Sequence, residues 1–208
     1  MIRWHLVRHG RTEFNRDGRI QGHTQVALDE EGLSQARKLR DRLAGETFVA
    51  AWSSDLLRTQ QMAKTILDGR NVVPVSFPEL RELSYGQWEG LTVSAIRERY
   101  DADFSRIMSG HHDSAPPGGE SVTHLLERTG RFVQQMKRQV AEGNVLVVCH
   151  GGSLRGLVVN LMGLPAATFW SLKVDLASLS IIEVYPNRPV LALFNDTSHL
   201  KCTMGPST

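Results

Sequence analysis

From Asn144 to Cys149 the chain is apolar at nearly every position, and no other stretch limits its possible folds so tightly. A strand with one wet face alternates apolar and polar residues. A strand without a polar face suits the middle of a parallel sheet, covered by helices on both sides. Other short apolar runs flank it in sequence. Ile2 to Val7, Phe48 to Trp52 and Val72 to Phe77 read as strands, the last near an edge because Pro74 lies inside it. Leu179 to Tyr185 and Val190 to Phe194, joined by Pro186-Asn187-Arg188-Pro189, read as a strand pair.

Between these runs the apolar period changes to that of a helix. Leu33, Ala36, Leu39 and Leu43 form one stripe, predicting a helix from about Asp29 to Leu43. A second helix is expected from about Asp55 to Leu67, with Ser53 or Ser54 as its cap. Residues 11–30 read as a loop, residues 78–92 as irregular, and Val93 to Met108 as helical. After the break at Pro116-Pro117-Gly118-Gly119, Val122, Leu125, Leu126, Phe132, Val133, Met136 and Val140 mark a long amphipathic helix. Another helix runs from Gly151-Gly152 to about Gly163. The order predicts an α/β fold, a three-layer α/β/α sandwich around a mostly parallel sheet. With 208 residues, one domain over 1–208 is expected, residues 78–120 forming an insertion over the pocket and 201–208 a frayed tail.

The formal net charge of +2 provides no global field for gripping nucleic acid or an anionic membrane, so neither is expected as a partner. No apolar run approaches the roughly 20 residues of a membrane-spanning helix, and the start is too short and charged for a signal peptide. Cys149 and Cys202 then read as two unpaired thiols in a reducing, cytoplasmic compartment.

Ligands of open α/β sheets bind beyond the carboxyl ends of the strands. Arg8 and His9 follow the first strand, Arg58 opens the helix after the second, and His150 follows the fourth. Segments far apart in sequence therefore bring two Arg and two His to one edge. Guanidiniums match phosphate oxygens. A neutral imidazole is a nucleophile toward phosphorus, and a second one, if protonated, could donate to an oxygen. The helix after Gly151-Gly152 offers free backbone N–H groups to an anion.

Leu6-Val7-Arg8-His9-Gly10-Arg11-Thr12-Glu13 with Asn15 resembles the signature of the histidine phosphatase superfamily, in its phosphoglycerate mutase-like branch. Ser53-Ser54-Asp55-Leu56-Leu57-Arg58-Thr59 resembles its second-arginine element, and Val148-Cys149-His150-Gly151-Gly152 its second-histidine element. Leu80-Arg81-Glu82-Leu83, followed by Gly86-Gln87-Trp88-Glu89-Gly90, resembles its acid/base element. The resemblance spans nearly the whole chain. It implies a phosphatase with His9 as nucleophile and Glu82 as general acid and base, acting on a small phosphorylated metabolite. It implies that Arg8, Arg58 and His150 bind the phosphoryl group, with Asn15 helping; Gly151 at the helix start and Gln21 in the loop after His9 are further candidates for phosphate contact. No metal and no cofactor are implied. A homodimer stays open. The substrate is not fixed: small bacterial phosphatases of α-ribazole phosphate, glucosyl-phosphoglycerate and broad-specificity type share the Pro116–Ser121 and Asn195–His199 elements.

Two other functions are weighed. A cofactor-dependent phosphoglycerate mutase resembles its relatives in a longer insertion with a substrate-binding Lys and an adjacent Arg pair, and no Arg-Arg pair lies between residues 91 and 118 here. A non-catalytic phospho-ligand module would usually lose one charged residue of the set. Glu79 and Glu89 are the alternatives to Glu82. A Cys149–His150 dyad is rejected because neighbours on a strand face opposite ways. His111-His112-Asp113 fits no common zinc spacing and reads as an exposed loop, with substrate contact as the lesser reading. Arg19, Gln21 and His23 stand evenly between lining the entrance and simple solvation.

Overall fold

The computed structural model describes residues 1–201; Cys202 and most of the expected tail lie outside the described residues. Strand β4 (Gly143–Cys149) is interior, as its composition requires, between β1 (Ile2–Arg8) and β2 (Phe48–Ser53). Its side chains divide by parity. Val145, Val147 and Cys149 enter one apolar cluster, and Leu146 and Val148 enter the other. Both faces are thus covered. Helices α2 (Glu30–Arg42) and α3 (Leu57–Ile66) cover one side with Ala36, Leu39, Met62, Ala63 and Ile66. Helices α5 (Val122–Gln139) and α6 (Gly151–Met162) cover the other with Phe132, Val133, Met136, Leu154, Leu157 and Leu161.

The six-stranded sheet has the order β3-β2-β4-β1-β5-β6, where β3 is Val75–Ser76, β5 Leu179–Val184 and β6 Pro189–Asp196. The β3–β2, β2–β4 and β4–β1 pairs are parallel; β1–β5 and β5–β6 are antiparallel. This is the expected mostly parallel sandwich, with only β5 running against the rest. The third strand is shorter than expected. Pro74 cannot donate to a ladder, and only Val75 and Ser76 pair with β2.

The 11–30 segment contains a short helix, α1 (Glu13–Arg16), that the loop reading missed. Thr12 caps it, taking the Asn15 N–H on Oγ1 at 3.2 Å, while Asn15 Oδ1 takes the Thr12 N–H at 3.2 Å. Neither Ser53 nor Ser54 caps α3. The helix begins two residues later than expected, behind Leu56, and Ser54 Oγ instead accepts the Leu56 N–H at 3.3 Å in the preceding turn. The 78–120 segment holds α4 (Val93–Met108), as expected, and single 3₁₀ turns at Pro78–Leu80 and Gly86–Trp88. Among the described residues, no helix is long and apolar enough to cross a membrane.

Candidate active site

Register alone sets the two histidines side by side. β1 and β4 run parallel with Arg8 opposite Cys149, so the next residues, His9 and His150, emerge together at the carboxyl edge. The His9 N–H donates to the Cys149 carbonyl at 3.0 Å, and the two imidazole centroids are 5.2 Å apart. β2 ends level with them, Ser53 opposite Val148, and delivers Arg58 in the first turn of α3.

The hydrogen bonds fix each ring's tautomer. His9 Nδ1 lies 2.8 Å from the Gly10 carbonyl, which can only accept, so Nδ1 carries the proton and Nε2 keeps its lone pair. His150 Nδ1 accepts from Arg58 Nε at 3.1 Å, so its proton sits on Nε2, where the N–H has no partner among the described residues. Burial, then Arg58, hold both imidazoles well below the usual histidine range, with Arg8 acting further on His9. The sequence suggests that His150 donates if protonated; with its pKa held well below the usual range, the neutral ring still offers its Nε2–H as a donor.

Arg58 is fully buried. Its Nη1 and Nη2 donate to the carbonyls of Thr24 and Gly22 at 3.0 and 2.7 Å. With Nε on His150, three of its five N–H groups are used. Burial lowers its pKa to about 10. Arg8 donates from Nη1 to the Val174 carbonyl at 2.7 Å and leaves a buried Nε unpartnered. Among the described residues, neither guanidinium has a carboxylate within 4.0 Å. Burying an ion costs several kcal/mol after relaxation. Two such cations without ion pairs describe a site built for an incoming anion.

Glu82 sits opposite. Its Oε1 accepts the N–H groups of Leu83 and Gly152, each at 2.8 Å, which leaves Oε2 free. The Glu82 carboxylate thus takes one of the first backbone N–H groups of α6, that of Gly152. The segment carrying Glu82 is tightly held. Arg128 on α5 donates to the carbonyls of Glu79 and Glu82 at 2.7 and 2.9 Å and grips both oxygens of Glu120 at 2.7 and 2.8 Å. The two rival carboxylates are engaged or absent. Glu89 receives the backbone N–H groups of His23, Thr24 and Tyr85, at 2.9, 3.0 and 3.3 Å, and Glu79 does not line the cavity.

A cavity of about 130 Å³ joins Arg8, His9, Asn15, Gln21, Arg58 and Glu82, together with Arg19. His150 borders it through His9 and Arg58, and Gly151 packs where an added Cβ would lie 3.5 Å from Arg8 and 3.6 Å from Glu82 Oε2. The cavity lining thus brings together Arg8, His9, Asn15, Gln21, Arg58 and Glu82, while His150 and Gly151 adjoin it without lining it. Larger surface clefts lie elsewhere; one of about 440 Å³ is lined by Met1, Lys137 and Tyr185, far from these groups along the strands. Asn15 presents only its amide nitrogen, because Oδ1 is spent on Thr12. His23 is not in the lining; its Nε2 meets the Glu82 carbonyl at 2.9 Å. The 111–113 loop is also outside it, with Asp113 accepting from Thr123 Oγ1 at 2.6 Å. Among the described residues, no group of three or more His, Cys, Asp or Glu converges as metal ligands would. Cys149 is buried in the core, its thiol pushed up to about 12 by burial.

Sequence reasoning missed Tyr85, which lines the cavity and whose pKa burial raises, and the Arg128–Glu120 pair. Tyr85 lies three residues after Glu82, a spacing that could have drawn attention to it.

Known proteins resemble this chain over nearly its whole length. The profile of the histidine phosphatase superfamily, branch 1, matches residues 4–197. Phosphoserine phosphatase 1 of Hydrogenobacter thermophilus is 32% identical over 96% of this chain and 95% of its own. A probable phosphoglycerate mutase of Yersinia pestis is 34% identical over 96% and 95%. The crystal structure of the α-ribazole phosphatase from Shigella flexneri superposes with a TM-score of 0.87 at 29% identity, over 93% of this chain and 96% of that one.

Proposed function

This chain belongs to the histidine phosphatase superfamily, branch 1, and from that premise we propose that it is a metal-independent phosphatase of small phosphomonoesters, working through a phosphohistidine on His9. The observation that carries the reading is the state of His9. It is a neutral imidazole whose proton is held on Nδ1 by the Gly10 carbonyl, and it lines the same small cavity as two cations that lack carboxylate partners.

The chemistry follows from the tautomers. The His9 Nε2 lone pair attacks phosphorus as the ester P–O bond breaks, and the departing oxygen takes a proton from Glu82. The transfer runs through Oε2, the oxygen free of backbone donors. Arg8, Arg58, the Asn15 amide and the His150 Nε2–H hold the equatorial oxygens, whose charge is spread in the transition state. Water then attacks the phosphohistidine, Glu82 takes its proton, and inorganic phosphate leaves. We read the chain as one catalytic domain acting in the cytoplasm, in keeping with the free thiol of Cys149.

Relatives named as phosphatases and as mutases share this scaffold. The difference is whether the phosphoryl group goes to water or back to substrate. The test is phosphate release across a panel of metabolite monoesters, with and without chelator, beside interconversion of 2- and 3-phosphoglycerate. Chelator-resistant hydrolysis faster than interconversion is expected. Faster interconversion would make it a mutase, and loss of activity to chelator would end the metal-free mechanism.

A further inference from the structure

The Asn195–His199 element lines no part of the cavity, yet it holds the segment on which Arg8 and His9 lean. That segment is the turn from Val174 to Ser178. Its Val174 carbonyl accepts from Arg8 Nη1 at 2.7 Å, and its Ser178 carbonyl accepts the Arg8 N–H at 3.2 Å. Its Ala177 N–H donates to the His9 carbonyl at 3.0 Å. This last bond fixes the His9–Gly10 peptide plane, and the next carbonyl, that of Gly10, keeps the proton on His9 Nδ1. The nucleophile and the phosphate-binding guanidinium therefore both take their aim from one turn.

The turn does not hold itself. Ala177 has a φ of 53°, in the left-handed region that side chains avoid. Among the described residues the one other non-glycine with positive φ is Asn195, also at 53°. Asparagine tolerates that region, whereas alanine has no polar group to stabilise it. Such backbone persists only where its surroundings over-determine it. Two side chains do so here. His199 Nε2 donates to the Ala177 carbonyl at 3.0 Å. Asn195 Oδ1 accepts the Asp175 N–H at 2.7 Å, and its Nδ2 donates to Asp175 Oδ2 at 2.9 Å.

Both residues are placed for this task. Asn195 sits in a bulge of β6: Leu179 pairs with Asp196 and Ile181 with Leu193, so Ser180 faces Phe194 and Asn195 together. His199 lies in the 3₁₀ turn Ser198–Leu200, which Lys38 of α2 fastens through the Leu200 carbonyl at 3.2 Å. An apolar ring would fill the space more cheaply. His199 instead buries an Nδ1 without a partner among the described residues, a cost that accompanies its donor to Ala177.

We propose that His199 and Asn195 are positioning residues for phosphoryl transfer, which act through the 174–178 turn to set Arg8 and to hold the His9 ring with its proton on Nδ1. The proposal rests on the phosphomonoesterase reading and adds to it two residues outside the cavity.

Single-turnover phosphoenzyme formation from para-nitrophenyl phosphate tests it, in variants shown by melting to be folded. His199→Ala should slow the step by about tenfold or more, the scale of a small misplacement, with the loss mostly in kcat. His199→Gln, whose amide nitrogen can reach the Ala177 carbonyl, should recover most of the rate. Asn195→Gly keeps the left-handed backbone, removes the amide, and should also slow the step by about tenfold. Rates within about twofold of wild type in both His199→Ala and Asn195→Gly would overturn the proposal. A His199→Gln protein as slow as His199→Ala would do the same, by reducing His199 to ring packing. ¹⁵N NMR of the histidine rings reads what general bracing would not move. His9 should be protonated on Nδ1 in the wild-type protein and a mixture of tautomers in both variants; an unchanged His9 signal in both overturns the proposal. Should His199→Ala fail to fold, Asn195→Gly decides on the same two readouts. If the wild-type protein hydrolyses no monoester, the enzymatic reading fails, and the NMR comparison still decides the positioning.

Discussion

The Oε1 atom of Glu82 lies 2.8 Å from the N–H of Gly152, so the carboxylate rests on the first turn of the helix that follows His150. A Cβ at Gly152 would come within 2.4 Å of that oxygen. The obstacle is the end of a flexible side chain, so the fold can yield and the site cannot. Gly152→Ala should therefore leave stability unchanged or raise it by up to about 1 kcal/mol, the helical preference for Ala. Activity should fall by at least about tenfold, since general acid catalysis is worth about 10²–10⁴-fold. Paired melting and kinetic measurements check this. Full activity would mean that Glu82 does its work from another place.

The acid role of Glu82 is read from leaving groups. An alkoxide needs the proton and a nitrophenolate barely does. Glu82→Gln should slow phosphoenzyme formation from an alkyl phosphate by about 10²-fold or more relative to an activated aryl phosphate. Single-turnover kinetics would show it. Equal slowing on both would remove Glu82 from this role.

Arg58 is more than a charge. Its three engaged nitrogens hold the His150 ring and the Gly22 and Thr24 carbonyls at once. A lysine keeps the charge but cannot match that fork. Arg58→Lys should lose about 10²-fold or more in kcat/KM, the cost of a misplaced site. Near-normal activity would reduce Arg58 to electrostatics alone.

Much of this was legible in the sequence because strand ends are. The apolar run to Cys149 and the shorter run to Val7 place His150 and His9 at one edge, and the sheet's register then brings them together. Arg58 follows from the same logic after β2. What stayed hidden depends on side-chain geometry. Nothing in the order of residues says that Glu82 takes the Gly152 N–H at the start of α6, or that Asn15 spends its carbonyl on Thr12. The tautomer of His150 depends on Arg58, 92 positions away. The Arg128–Glu120 clamp spans only eight residues, but its importance comes from the Glu79 and Glu82 carbonyls it holds.

The buried imidazoles also set a pH dependence of stability. Unfolded histidines protonate near pH 6.5, whereas His9 and His150 in the folded protein stay neutral well below that. The unfolded state then binds more protons as pH falls from about 6.5 toward the lowered folded values. Stability should be unaffected by these groups above pH 7.5. It should drop below about 6.5, by up to about 1.4 kcal/mol per pH unit for each ring. Denaturant titrations at pH 7.5, 6.5 and 5.5 would measure it, and a His9→Asn, His150→Asn double variant should show a shallower fall. The same slope in both proteins would place the effect elsewhere.

The nucleophile itself can be caught. Rapid acid-free quenching of the wild-type protein with a ³²P-labelled monoester, followed by peptide mapping, should find an acid-labile, base-stable phosphoryl group on His9. His9→Ala should form none, remain folded, and keep less than about 1% of the activity, because removing a nucleophile costs several powers of ten. A label on another residue, or turnover by His9→Ala above that level, would contradict the phosphohistidine mechanism.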